Sequence, residues 1–187
     1  KNFSADELQE AIVYCHVRGV AVHLTLNTLI REEEMTAAVA LAQTACAAGV
    51  DALIAQDMGL AARIHAAAPE LTLHASTQLS CHTPEGVRRL RDAGFSRVVL
   101  AREMSAEEIR ACAGLGCELE VFVHGALCMS VSGQCYFSAM LGGRSGNRGL
   151  CAQTCRLPFR PDGSDDRGRA ALSLKDMSLL HEMAALS

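Results

Sequence analysis

At 187 residues, half of them hydrophobic and a fifth charged, the chain is sized for one globular domain that buries about 70% of its unfolded surface. Its net charge of −4 argues against capture of nucleic acid by the whole surface, although a local basic patch stays open. No apolar run approaches the roughly 18 residues that span a bilayer and no secretory leader precedes Lys1, so a cytoplasmic protein without a membrane span is expected. Aromatics are 4% with no Trp, which leaves the core to Ala, Val, Leu and Met. Nine cysteines is an odd number and a low density for a secreted disulfide scaffold.

In chain order, residues 5–17 carry Leu8, Ala11, Ile12 and Cys15 on one helical stripe, with Ser4 placed as N-cap. Gly19 ends that helix and residues 20–27 read as a strand. A helix over 32–48 closes at Gly49, before a strand over 52–56. A helix over 60–68 stops at Pro69 and is followed by a strand over 71–76. Residues 84–93 form the next helix, ended by Gly94, then a strand over 97–102. Ser105 with Glu108 makes a capping box for a helix over 106–113, and a strand follows over 119–124. A last unit is expected as a strand over 171–175 and a helix over 177–185.

Strand–helix units every 20 to 25 residues predict parallel strands with crossover helices. A (β/α) TIM-like barrel and a doubly wound sheet both fit. The barrel is preferred because polar residues recur at strand ends: Asn27, Gln56, Asp57, His74 to Gln78, Arg102, Glu103, His124, Lys175 and Asp176. Six strands are visible where a closed barrel needs eight, so the barrel is incomplete in this chain. Residues 1–125 are expected to be barrel units, 126–170 an insertion, and 171–187 the final βα unit. An unpaired edge strand would invite a homodimer or a partner subunit.

The insertion breaks the beat. Cys15, Cys46, Cys112 and Cys117 lie singly in or beside helices, as small buried hydrophobes do, and Cys81 is likewise isolated. The other four, Cys128, Cys135, Cys151 and Cys155, crowd together with six, fifteen and three residues between them, among many glycines. Thiolates suit iron–sulfur clusters and zinc alike. The wide first spacing favours a cluster, zinc sites preferring tight pairs, while metal-free thiols remain the third possibility. Arg144, Arg148, Arg156 and Arg160 fall within 142–161, a window without Asp or Glu, and suggest an anionic partner or a solvated loop. Tyr136 and Phe137 could stack on a base or anchor the loop. The polar, turn-rich run 160–169 is expected to be a mobile excursion.

The run EVFVHGALC at 120–128, followed by GQCYFS at 133–138, resembles the signature of peptidase family U-32. NRGLCAQTCR at 147–156, LHASTQ at 73–78, VVLARE at 98–103 and LSLKD at 172–176 resemble further segments of that family. Phe137 departs from the signature, which usually carries an aliphatic residue there. The resemblance implies a barrel whose first two strands precede Lys1. It also implies a four-iron four-sulfur cluster on Cys128, Cys135 and Cys151, with Cys155 or a residue elsewhere as fourth ligand. The activity it implies is hydroxylation, either of RNA with prephenate as co-substrate or of a small aromatic such as a ubiquinone precursor. Some relatives are instead described as collagenase-like proteases, and a metal-stabilised scaffold is a further alternative. On the redox reading, His74, Gln78, Arg102, Glu103 and His124 orient the substrate at the barrel mouth. Asn27, Arg144, Asn147, Arg148 and Arg156 would contact it, Arg144 and Arg148 holding its negative charge. Proteolysis fares worse chemically. The chain has no His-Glu-x-x-His, Ser130 and Ser132 lie outside any nucleophile elbow, and a Cys128–His124 dyad would compete with cluster ligation.

Overall fold

A computed structural model describes residues 3–160 and 168–186. The chain begins with α1 (Ala5–His16), β1 (His23–Leu26), α2 (Glu32–Ala47), β2 (Ala52–Ala55), α3 (Met58–Ala67) and β3 (Leu73–Ala75). It continues with α4 (Pro84–Asp92), β4 (Arg97–Val99), α5 (Ala106–Ala111) and β5 (Glu118–Glu120). The helices start where local chemistry says they should. Ser4 and Ser105 close capping boxes with Glu7 and Glu108, Asp57 accepts the Leu60 N–H, and Thr83 caps α4 ahead of Pro84.

The five strands lie side by side in the order β1-β2-β3-β4-β5, all parallel, with His74 beside Arg97 and Arg97 beside Glu118. Period-two alternation divides the sheet into two faces. Leu53, Ala55, Leu73, Ala75, Val98 and Leu100 join the helices in one core, filled out by Leu60, Ile64, Val87, Leu90 and Phe95. The opposite face carries His23, His74, Arg97, Glu118 and Glu120. There Arg97 pairs with Glu118 at 2.7 Å and Glu120 at 3.3 Å, while the His23 and His74 rings meet edge to face at 4.9 Å. The sheet is the parallel α/β architecture expected of barrel units, and among the described residues it stays open, since β1 and β5 are not paired with each other.

The end of the chain departs from expectation. The single strand expected over 119–124 is two: β5, and then β6 (His124–Ala126), which leaves the main sheet. Gly125, in the middle of β6, has φ +137°, a conformation that favours glycine. The partner of β6 is β7 (Asp176–Ser178), antiparallel, so the last unit does not add a parallel strand to the barrel. Residues expected in that strand instead turn, the Ser173 N–H donating to the Ala170 carbonyl, and the final helix is short, α7 (Met183–Leu186). An alternating apolar pattern specifies an extended backbone but not its partner. Between β6 and β7 lies the Cys-rich segment, with one helix, α6 (Phe137–Gly142), and tight turns at Gly146–Arg148 and Thr154–Arg156. Most of the polar excursion, 161–167, lies outside the described residues; its flanks are bridged, Phe159 to Arg169.

Candidate functional site

The Cys-rich segment folds over the C-terminal ends of the strands and is tied there by polar contacts. Ser132, 1% exposed, gives its N–H to the Glu103 carboxylate at 2.9 Å and its hydroxyl to the same group at 3.1 Å. Its carbonyl accepts from the Ser80 hydroxyl, and Arg102 Nε donates to its Oγ at 3.4 Å. Next to it Gly133, at φ +75°, presses on the backbone of Gln78: a Cβ there would sit 2.0 Å from the Gln78 carbonyl oxygen. Farther along, Arg148 forms a bidentate pair with Glu34 at 2.6 and 2.7 Å and also donates to the Leu29 carbonyl. Arg148 and Arg31 hold the Glu34 carboxyl well below the usual carboxylate range, the Arg148 hydrogen bond contributing most.

These ties build a cavity of about 100 Å³ whose walls include all four thiols, Cys128, Cys135, Cys151 and Cys155, together with Gln78, Arg102, Asn147 and Thr154. Two stretches with fifteen residues between them supply the sulfurs, joined by the Ala152 N–H donating to the buried Ser138 hydroxyl at 2.8 Å. Cys151 Sγ accepts the Gln153 N–H at 3.3 Å, with Gln153 in the left-handed region at φ +55°. A non-glycine residue there is strained, as happens where function fixes the backbone. The Thr154 hydroxyl is buried on this wall with no partner among the described residues. No three Cys, His, Asp or Glu side chains among the described residues gather as closely as a single metal ion requires. The remaining cysteines behave differently. Cys81 and Cys112 are in the core, and burial pushes their thiols up, as it does those of Cys46 and Cys117.

The other expected site residues separate into groups. Gln78, Arg102 and Asn147 line the cavity. The Glu103 carboxylate accepts from the Ser132 N–H and hydroxyl. Arg148 is neutralised by Glu34, and Arg156 donates to the Ser173 hydroxyl and the Leu127 carbonyl, so both brace the segment. Arg144 is exposed and donates to the Leu150 carbonyl. Asn27 reaches the Ser76 hydroxyl at 3.5 Å. His74 is buried within β3, its charged form disfavoured by burial and then by Arg97 and His23, and its Nδ1 lacks a partner among the described residues. His124 is exposed on β6, outside the walls of the thiol-lined cavity. Phe137 stacks on Phe159 at 6.0 Å as a loop anchor, whereas Tyr136 stays 59% exposed. Ser80 and Ser138 carry roles that no local pattern signals, because their partners are distant in sequence, and Thr154 shows its place only through the cavity it lines.

The model of peptidase family U32 matches residues 1–187. The chain belongs to that family. It is 40% identical to the 23S rRNA 5-hydroxycytidine C2501 synthase of Escherichia coli (strain K12), over 98% of this chain and 28% of that protein. It is 33% identical to a collagenase of Porphyromonas gingivalis (strain ATCC BAA-308 / W83), over 96% of this chain and 47% of the relative. To the tRNA hydroxylation protein P1 of Bacillus subtilis (strain 168) it is 31% identical, over 97% and 46%. This U32 chain thus spans between about a quarter and a half of these relatives. Among solved structures, the U32 peptidase Mk0906 superposes with TM-score 0.55 at 18% identity, covering 66% of this chain and 53% of that one. The putative copper homeostasis protein CutC of Streptococcus agalactiae gives 0.53 at 15% identity, covering 73% and 74%. The fold is therefore TIM-barrel-like. No helix among the described residues is long and apolar enough to cross a membrane.

Proposed function

We propose that this U32 chain is the cluster-bearing part of an enzyme that hydroxylates a base in RNA, a cytidine by likeness to the relative at 40% identity. The observation that carries the reading is the convergence of four thiols from two segments on one cavity, beside Arg102, Gln78 and an unpartnered Thr154 hydroxyl. That donor set fits a four-iron four-sulfur cluster on Cys128, Cys135, Cys151 and Cys155. When bound, such a cluster supplies one-electron exchange at the cavity wall. The chain's own residues do the rest. The Gln153 N–H donates to Cys151 Sγ, and the unpartnered Thr154 hydroxyl is a donor held in reserve on the same wall. Arg102 is the cation on the wall that would meet a carboxylate co-substrate such as prephenate. Glu103 and Ser132 keep the loop closed over the strand ends, limiting water.

The collagenase-named relative keeps proteolysis in view. The geometry gives it less support, because His124 is exposed and does not share the wall on which Cys128 lies. RNA as substrate would place the protein in the cytoplasm. The open edges at β1 and β5 leave room for further strands from a longer chain, a second copy or a partner. The deciding experiment expresses the full-length protein in cells lacking RNA hydroxylases and digests the RNA to nucleosides for mass spectrometry. Hydroxylated cytidine that vanishes with Cys128→Ser supports the reading; product that persists in that variant contradicts it.

A further inference from the structure

A second cavity, of about 440 Å³, adjoins the first and shares Gln78, Gly133 and Asn147 with it. The mechanism above does not use it. Its floor includes Gln56, only 6% exposed, whose Nε2 donates to the Gln78 carbonyl at 3.4 Å. That bond fixes the amide with Oε1 as the free end, and Oε1 is buried with no partner among the described residues. A buried acceptor without a donor is unfavourable until a ligand supplies an N–H.

The rest of the wall narrows the ligand. Neither Lys nor Arg lines this cavity, so it is not built for phosphate. Asp57, its one carboxylate, already accepts the Leu60 N–H at 2.9 Å and the Ile30 N–H at 3.0 Å, which makes it a poor cation site. What remains is amides from Gln78, Gln134 and Asn147, which both donate and accept, the apolar side chains of Leu29, Met58 and Leu79, and the exposed ring of Tyr136. Neutral amides with an aromatic surface suit a flat heterocycle with hydrogen-bonding edges, and the volume falls in the usual range for small-molecule pockets.

We infer that this cavity receives the target base extruded from its strand, with a small shift of the Gln56 side chain bringing its sealed Oε1 to the exocyclic amine and Tyr136 stacking on the ring. The inference rests on the RNA reading above and adds where the base sits and what selects it. Bases acted on by enzymes are commonly swung out of the stack into such pockets. A fixed acceptor would oppose the carbonyl that uracil presents in place of the cytosine amine, so cytidine is preferred.

The test uses the full-length protein and a short oligouridylate bearing one central cytidine, compared with the all-uridine strand, by fluorescence anisotropy. The wild type should bind the cytidine strand about tenfold more tightly, and Gln56→Met should abolish that preference by weakening the cytidine strand and relieving the opposition to uridine. Tyr136→Ala, at an exposed position that leaves the core intact, should weaken both strands by about tenfold or more. A Gln56→Met protein that is folded and keeps the preference overturns the assignment. So does a Tyr136→Ala protein with unaltered affinity, or a wild type indifferent to the base. A wild type that binds neither strand overturns the RNA reading as well.

Discussion

Single residues hold this site in shape. Gly133 is the sharpest case, because both its positive φ and its distance from the Gln78 carbonyl exclude a Cβ. Gly133→Ala should cost about 3 kcal/mol or more, measured by denaturant unfolding, since neither backbone can yield without moving the other. A loss under about 1 kcal/mol would mean that the loop does not press on the strand end. The four cysteines were legible as a group from spacing and composition alone. Ser132 was not: read as a sequence it invites only the question of a nucleophile. Its buried bonds to Glu103, 29 residues away, make it a tie between loop and sheet. The same long-range contact gives Glu103, expected at the barrel mouth, a structural tie that its own sequence neighbourhood does not show.

At the scale of elements, the helices were readable because their signals are local: Ser4 with Glu7 and Ser105 with Glu108 sit three residues apart. The split of the strand expected over 119–124 was not readable, since what captures His124–Ala126 is Asp176–Ser178, some fifty residues on. The docking of the Gly146–Arg148 turn onto the start of α2 was likewise hidden, because it depends on Arg148 meeting Glu34 across 114 residues. That pair makes a pH prediction. Glu34 is depressed in the folded state, so its contribution is present above the ordinary value of 4.5 and is lost as pH falls below it. Acidification toward pH 4 and below should lower the protection of amides 146–150, taken relative to their intrinsic exchange rates, in the wild type. Arg148→Ala should show that lowered protection already at neutral pH. Equal protection in both proteins at neutral pH would show that the pair does not hold the turn.

For the whole molecule, repeated strand–helix units announced parallel strands, and five of them lie in sequence order. The face opposite the core was not foreseen, because alternation reveals that a face is polar but not what its charges meet. There His74 is buried with its pKa lowered, chiefly by burial and then by Arg97 and His23. The folded state therefore binds fewer protons than the unfolded chain, and stability should fall as pH drops below about 6.5. His74→Gln should flatten that slope in thermal unfolding between neutral pH and pH 5; an identical slope would show that His74 does not titrate on unfolding. The central claim is that the thiol-lined cavity holds a cluster. Iron and acid-labile sulfide analysis of anaerobically prepared protein tests it most directly. The account predicts about four of each per chain, lost together with the brown colour in Cys128→Ser. A folded, colourless protein carrying one zinc, or no metal after anaerobic reconstitution, would contradict it.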